Sequence, residues 1–396
     1  MASRMAPSTF ILLIVSLMVS GLAHGQELEE PSLVVRATQE TDPTLLFEAF
    51  VHRHGRVYSS HEERKARFAV FRENLDKVGA MNNKRESSTD AVFGVTGPFS
   101  DMTELEFRTK VLMGRLSEEG KPKPTHVVEN PVGAGSVPDA WEWNDHGAVT
   151  RVKQQGSVGS CWAFSATGNV EGQNFLAGND LVDLSVEQIV DCDGTMFQND
   201  TGDCGPSGGY PSYAFDYLIR QGGIMSDKDY PYCIGDFACH PCAPDGYNKT
   251  ICGPPPGGWA HPCYAKDSCK AKLDPAKFVT KVVGWAQLAP GLNETEMTSQ
   301  LYHNGPISIA IDARTLQFYI FGIVSPLFCS SDPNKADHAV LVTGYGTEED
   351  MLLQETPFWN VKNSWGELWG HWGFFKLRRG TNTCGVANHA TTSVVE

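Results

Sequence analysis

The sequence predicts an α+β chain: a helical leading segment, then a domain whose first half is helical and whose second half is built of strands. Three observations predict it. Apolar positions between residues 43 and 83 recur at helical spacing. Helix caps and stops punctuate residues 161–222. Beyond residue 293, short apolar or alternating runs take over, the pattern of an antiparallel sheet or barrel. A helical half followed by a β half makes two lobes, and clefts form at the seam between lobes.

At the N-terminus, Arg4 precedes an apolar run from Phe10 to Val19, and the small residues Ala23 and Gly25 follow. That pattern reads as a secretory signal peptide over residues 1–25, with a run too short to span a bilayer. No other segment reads as a membrane span. Entry into the secretory pathway permits disulfides, and the chain holds eleven cysteines, an odd count that leaves one thiol over. N-x-T sequons begin at Asn199, Asn248 and Asn293, where glycosylation is expected. A formal net charge of −15 argues against nucleic acid as a partner.

Residues 26 to about 43 are polar and aperiodic. From Pro43 a helix carries Leu45, Leu46, Phe47 and Phe50, and Gly55 ends it. A longer helix over about 61–83 places Glu63, Arg67, Phe71, Asn74, Val78 and Asn82 on one face, with Glu63 and Arg67 as an i, i+4 pair. Lys121–Pro124 and Pro131–Ser136 are rich in Pro and Gly, as linkers and cleavage sites are, which puts maturation near Ser136.

From Val137 the composition is that of a folded domain. A helix opens at Cys161 and runs to about Ala177, with Gly178 past its end. Ser185 and Gln188 predict a capping box for a second helix, and Pro211 starts a third that stops at Gly222 and Gly223. Asn293 and Glu296 cap a short helix before Gly305. Runs at 307–311, 339–343, 358–361 and 373–377 read as strands.

The chemistry centres on Gln155-Gly156-Ser157-Val158-Gly159-Ser160-Cys161-Trp162, a polar, glycine-rich loop that delivers a cysteine to the first turn of a helix. There, unpaired N–H groups and the helix dipole favour a thiolate. A cysteine nucleophile needs a base and an orienter, which can be remote in sequence. His338 starts a predicted strand and Asn363 follows another. Either alone carries little; with Cys161 they make a candidate set.

The motifs Gln155-Gly156-x2-Gly159-Ser160-Cys161-Trp162, Asp337-His338-Ala339 and Asn363-Ser364-Trp365-Gly366-x2-Trp369-Gly370 resemble the papain-like cysteine protease family, in its cathepsin L, F and H-like branch. The likeness covers about residues 43–396 apart from one insertion. The helix face named above, with Val70, resembles the family's pro-segment pattern E-x3-R-x2-V-F-x2-N-x3-I-x3-N, with Val78 in place of isoleucine. Gly94–Asp101 resembles a second pro-segment motif, G-x-[NT]-x-F-x-D, with one extra residue before Phe99.

The resemblance implies a two-lobe papain-like fold, with a helical left lobe and a β-barrel right lobe, preceded by a helical pro-segment. It implies a signal peptide over 1–25, an inhibitory propeptide over 26–136 and a peptidase domain over 137–396. Cys161 would be the nucleophile, His338 its base and proton donor, Asn363 the orienter shielded by Trp365, and Gln155 an oxyanion donor. The implied reaction is endopeptide hydrolysis through a thioester, by an expected monomer of the lysosome, vacuole or cell exterior. Peptides and proteins would be its substrates, its own propeptide its inhibitor, and no cofactor is implied. Two other readings stay open: a ligase or transpeptidase that uses the same thioester, and a catalytically silent binding homologue.

His338 lies 177 residues past Cys161, against roughly 130–150 in papain-like enzymes. The surplus is a Cys-rich insertion at about 233–268. Family likeness pairs Cys192 with Cys269 and Cys329 with Cys384, with Cys239 a second possible partner for Cys192, and leaves Cys161 free. Cys204, Cys233, Cys239, Cys242, Cys252 and Cys263 remain; disulfides are preferred there over a zinc site, and no metal is expected. The insertion could overhang the cleft as the occluding loop of cathepsin B does. Val158 and Pro206 stand where the family has a disulfide. Gly208, Gly209, Tyr210, Pro211, Ala310, Ala336 and His389 match the substrate-binding positions; the small alanines leave room for a bulky apolar P2 side chain, and a charged His389 would admit polar ones at acid pH.

Overall fold

The computed structural model describes residues 42–114, 123–127, 137–193, 203–236, 269–288 and 293–396. The signal peptide, the maturation region near Ser136, insertion residues 237–268 with Cys239, Cys242, Cys252 and Cys263, and the sequons at Asn199 and Asn248 lie outside the described residues.

The leading segment forms α1 (Pro43–Arg53), α2 (His61–Asn82), a short strand β1 (Val92–Phe93) and α3 (Glu104–Lys110). Ser60 caps α2 by accepting from the Glu63 N–H, and Thr103 and Glu106 make a reciprocal capping box on α3. Phe71, Asn74, Val78 and Asn82 are buried on one face of α2. The expected Glu63–Arg67 pair does not form. Glu63 accepts from Ser59, while the Arg67 guanidinium makes a two-pronged pair with Glu106 at 2.8 and 2.9 Å. A fork-to-fork pair across elements outcompetes an exposed one along a single helix.

After β2 (Trp141–Glu142), the helical lobe is built from α4 (Cys161–Leu176), α5 (Val186–Cys192) and α6 (Pro211–Gln221), followed by β3 (Ile224–Met225), α7 (Cys269–Lys272) and β4 (Phe278–Thr280). α4 is buried on nearly every side because it lies in the seam between the lobes. Its polar residues are spent on the β lobe: Ser165 donates to the Val340 carbonyl at 2.7 Å, and Asn169 binds the Pro306 carbonyl and Ser393. Ser185 caps α5, but the box is half made, since Gln188 turns to the Met225 N–H and the Gly223 carbonyl.

The β lobe comprises β5 (Val282–Gln287), α8 (Glu294–Asn304), β6 (Ile307–Ile311), β7 (Tyr319–Phe321), β8 (Ile323–Val324), β9 (His338–Glu349), β10 (Glu355–Lys362), β11 (Phe374–Arg378) and β12 (Thr391–Val395). Its sheet runs β5-β12-β6-β9-β10-β11-β8, with β2 also paired to β9. The barrel expected for this lobe is therefore not what forms. Closure requires the two end strands to pair with each other, and β5 and β8 do not. The sheet is also mixed, because β8 runs parallel to β11. The leading segment meets both end strands instead. The Thr89 carbonyl and Ala91 N–H bond Ile323 of β8 at 2.8 and 2.9 Å, and Thr125 bonds both backbone groups of Trp285 on β5. Phe47, Phe71, Phe99 and Phe107 of the leading segment join one apolar core with Ile309, Val342, Trp359 and Phe375 of the sheet.

Candidate active site

Cys161 is the first residue of α4 and is fully buried. Its Sγ accepts from the Ala339 N–H at 3.4 Å, so the start of β9 meets the sulfur. His338 precedes Ala339 and is buried too. Asn363 Oδ1 accepts from His338 Nε2 at 2.7 Å and from the Ser364 N–H at 2.8 Å. Accepting from a backbone N–H identifies that atom as the amide oxygen, so Nε2 carries the imidazole proton. Nδ1 is left without a hydrogen bond, as a free lone pair. Trp365 stacks on the imidazole with centroids 4.5 Å apart and walls it from solvent.

Gln155 is fully buried beside Cys161. Ser364 fixes it twice: its hydroxyl donates to Gln155 Oε1 at 2.7 Å, and its carbonyl accepts from the Gln155 N–H at 2.8 Å. That leaves Nε2 aimed at the carbonyls of Val111 (2.8 Å) and Val158 (2.7 Å). Val111 belongs to the leading segment, which runs through the seam. The Met113 N–H donates to the Asp337 carbonyl at 2.9 Å on the β-lobe side, and the Gly114 N–H to the Ser207 carbonyl at 3.1 Å on the helical side. Met113 is buried in the same apolar cluster as Ala310, Ala336 and Cys161. Phe99 and Phe107 set their edges against Trp365 at 5.3 and 5.4 Å.

Covering the site changes its electrostatics. Burial pushes the Cys161 thiol up to about 12, against the pull of the Ala339 N–H. Burial also holds the His338 imidazole down at about 4, although the Asn363 bond raises it. With the segment in place, thiol and imidazole are both neutral near pH 7.

Gly208 lies beside Met113 and Gly114 of the leading segment, followed by Gly209, by Tyr210 and by Pro211 at the start of α6. A Cβ on Gly209 would lie 2.3 Å from Asp203 Oδ1, which accepts from the Tyr210 N–H, so only glycine fits. His389 packs against Tyr210 with rings 5.6 Å apart. Cys192 is joined to Cys269 and Cys329 to Cys384; Cys204 and Cys233 are also disulfide-bonded, and Cys161 is the free cysteine among the described residues. At Val158 and Pro206 a backbone bond, Gly159 N–H to the Pro206 carbonyl at 2.7 Å, links the two loops. Asn293 is exposed and caps α8. Sequence reasoning did not single out the Ser364 hydroxyl, Asp203 or Tyr232. A serine, an aspartate or a tyrosine in a loop carries no signal of its own.

A buried thiol at a helix start, an imidazole held by an amide and a covering N-terminal segment define a cysteine peptidase kept shut by its own leader. The comparisons agree. Residues 137–394 match the papain family cysteine protease model, and residues 47–107 match the cathepsin propeptide inhibitor domain (I29). The chain belongs to the papain family of cysteine proteases. It is 37% identical to "Probable cysteine protease RD19B" of Arabidopsis thaliana, over 97% of this chain and 95% of the relative. It is 33% identical to "Cysteine proteinase 1" of Dictyostelium discoideum, over 98% of each. Among solved structures it is similar to the digestive procathepsin L2 proteinase of the Tenebrio molitor larval midgut, with TM-score 0.70 and 29% identity over 89% of this chain and 99% of that one. The chain is a cysteine endopeptidase made as a zymogen, with its propeptide as inhibitor.

Proposed function

We propose that Cys161 is the nucleophile of this endopeptidase, His338 its base, Asn363 the orienter and Gln155 the oxyanion donor. The observation that carries this is the Asn363–His338 bond, which leaves Nδ1 as a free acceptor where β9 meets Cys161 Sγ. Nδ1 takes the thiol proton, and Sγ attacks the scissile carbonyl carbon. The carbonyl oxygen becomes an oxyanion, bound by Gln155 Nε2 and by the Cys161 N–H, a first-turn group with no partner in its own helix. The imidazolium protonates the amine as the C–N bond breaks, leaving a thioester. Water, deprotonated by His338, then attacks the thioester; the carboxylic acid leaves and Cys161 is restored.

In the zymogen the Val111 carbonyl holds the donor that the oxyanion would use. Residues 26–136 act as the propeptide and 137–396 as the peptidase, matured near Ser136, after a signal peptide over 1–25. Gly208 and Gly209 bind substrate, and Tyr210, Pro211, Ala310, Ala336 and His389 form the pocket for the P2 side chain. The enzyme works in the secretory pathway, in a lysosome or vacuole or outside the cell. Among the described residues no helix is long and apolar enough to cross a membrane.

The test is covalent labelling of acid-activated protein with a thiol-directed epoxide. Labelling and peptide hydrolysis are expected in the wild type, and neither in Cys161→Ala. Labelling that persists in Cys161→Ala would refute the assignment, and product masses separate hydrolysis from transfer to an amine.

A further inference from the structure

With Val158 and Pro206 at its two sides, the loop of Gln155 and Cys161 is not tied by a disulfide at those positions, and a different element takes hold of it. Immediately before the Cys-rich insertion, Tyr232 points its hydroxyl into this loop. It donates to the Gln155 carbonyl at 2.8 Å and lies 2.8 Å from Ser160 Oγ. With the phenol proton given to Gln155, Ser160 is the donor in the second bond. The ring is braced edge-on against Phe164, one turn along α4, with centroids 4.8 Å apart.

The rest of the segment presses on the same loop. The Ser157 N–H meets the Gly235 carbonyl at 3.4 Å, and a Cβ on Gly156, whose φ is +73°, would lie 2.0 Å from that carbonyl oxygen. On its far side the segment is anchored. The N–H groups of Cys233 and Ile234 both donate to Glu187 Oε2, at 3.0 and 3.3 Å, and Ile234 is buried in the core of the helical lobe. Gln155 is thus held from two lobes, by Ser364 on its side chain and by Tyr232 on its carbonyl.

We infer that Tyr232 is a positioning residue for catalysis, a hydrogen-bonded tether that sets the Gln155 amide where the oxyanion forms. This rests on the reading of Gln155 as oxyanion donor. A tether of this kind acts on the step in which charge develops, more than on substrate binding. It is severed by removing a single oxygen, with the ring left in place.

The experiment is a double-mutant cycle on the acid-activated enzyme, with kcat and KM measured for Tyr232→Phe, Gln155→Ala and the pair. Tyr232→Phe is expected to lower kcat roughly tenfold and KM by less than about twofold, and Gln155→Ala to lower kcat by about a hundredfold or more. In the Gln155→Ala background, Tyr232→Phe is expected to cost less than about threefold, because the amide it positions is gone. Alkylation of Cys161 by iodoacetamide passes through no oxyanion and is expected to keep its rate in Tyr232→Phe. A tenfold loss that persists in the Gln155→Ala background, or a Tyr232→Phe enzyme with unchanged kcat, would overturn the tether. Full kcat in Gln155→Ala would overturn the oxyanion reading itself, and the tether with it.

Discussion

At the scale of single residues, the zymogen is silent for an electrostatic reason as well as a steric one. With Cys161 pushed up to about 12 and His338 held near 4 by burial, transferring a proton from thiol to imidazole runs far uphill. Removing the leading segment readmits water, and a helix N-terminus with an adjacent imidazolium then favours the thiolate. Iodoacetamide is therefore expected to alkylate Cys161 in the mature enzyme at a rate nearly flat between about pH 5 and 8, and at least about a hundredfold more slowly in the intact zymogen. Comparable rates in the two forms would show that the leader does not control ionisation.

At the scale of elements, α2 works as a template for the loop beside it. Asn74 Nδ2 donates to the carbonyls of Ser100 and Met102 at 2.9 and 2.8 Å, and Asn82 makes a two-way bond with the Phe93 backbone at 2.8 and 2.9 Å. These bonds place Phe99 and Phe107 against Trp365. The extra residue before Phe99 is absorbed in a turn over 97–100, where the Ser100 N–H reaches the Gly97 carbonyl. Asn74→Ala takes the donor from the Ser100 carbonyl and leaves Met102 with Gln317 Nε2, a cost of about 1–3 kcal/mol. The inhibition constant of the isolated propeptide added to mature enzyme is then expected to rise about ten- to a hundredfold. An exposed change such as Glu62→Ala is expected to leave it alone. Equal constants for Asn74→Ala and wild type would remove α2 from the inhibitory mechanism.

At the scale of the whole molecule, acid should loosen the leader. His54 is half-buried at the end of α1 with Nε2 2.8 Å from the Thr96 carbonyl. Burial lowers its pKa to about 4, with Arg53 and Arg56 also lowering it and the Thr96 bond and Asp101 raising it. A group held below its free value binds its proton more readily once released. Thr96, Arg53, Arg56 and Asp101 all belong to the leader, so it is the leader's own fold, and through it its hold on the peptidase, that is weakened as pH falls from about 6.5 toward 4. His338 has the same sign. Asp337, raised to about 7 by burial, has the opposite one and favours the docked form in acid. In the Cys161→Ala zymogen, which cannot cleave itself, His54→Gln is expected to move the midpoint of leader release to lower pH, followed by tryptophan fluorescence. An unmoved midpoint would exclude His54 as a sensor.

Much of this protein is local in origin and so was legible in the chain. Caps at Ser185 and Asn293, Pro211 at a helix start and the face of α2 are short-range patterns, and the motifs around Cys161, His338 and Asn363 mark a family because several occur in order. Short-range patterns say nothing of edges, which is why the β lobe was read as a barrel. Nor did they reveal β5 or β12, whose pairing depends on strands elsewhere in the chain. Likewise the Arg67 partner, the Ser364 grip on Gln155 and the reach of Tyr232 join residues tens to hundreds of positions apart. The sequence by itself determined most of the helices, the candidate reacting groups and the family. Only the tertiary structure decided that the sheet stays open, that the leader's Val111 carbonyl takes the Gln155 amide, and that burial neutralises the thiol and imidazole. Each of these depends on which surfaces exclude water from one another, and that is a property of the packed chain rather than of any stretch of it.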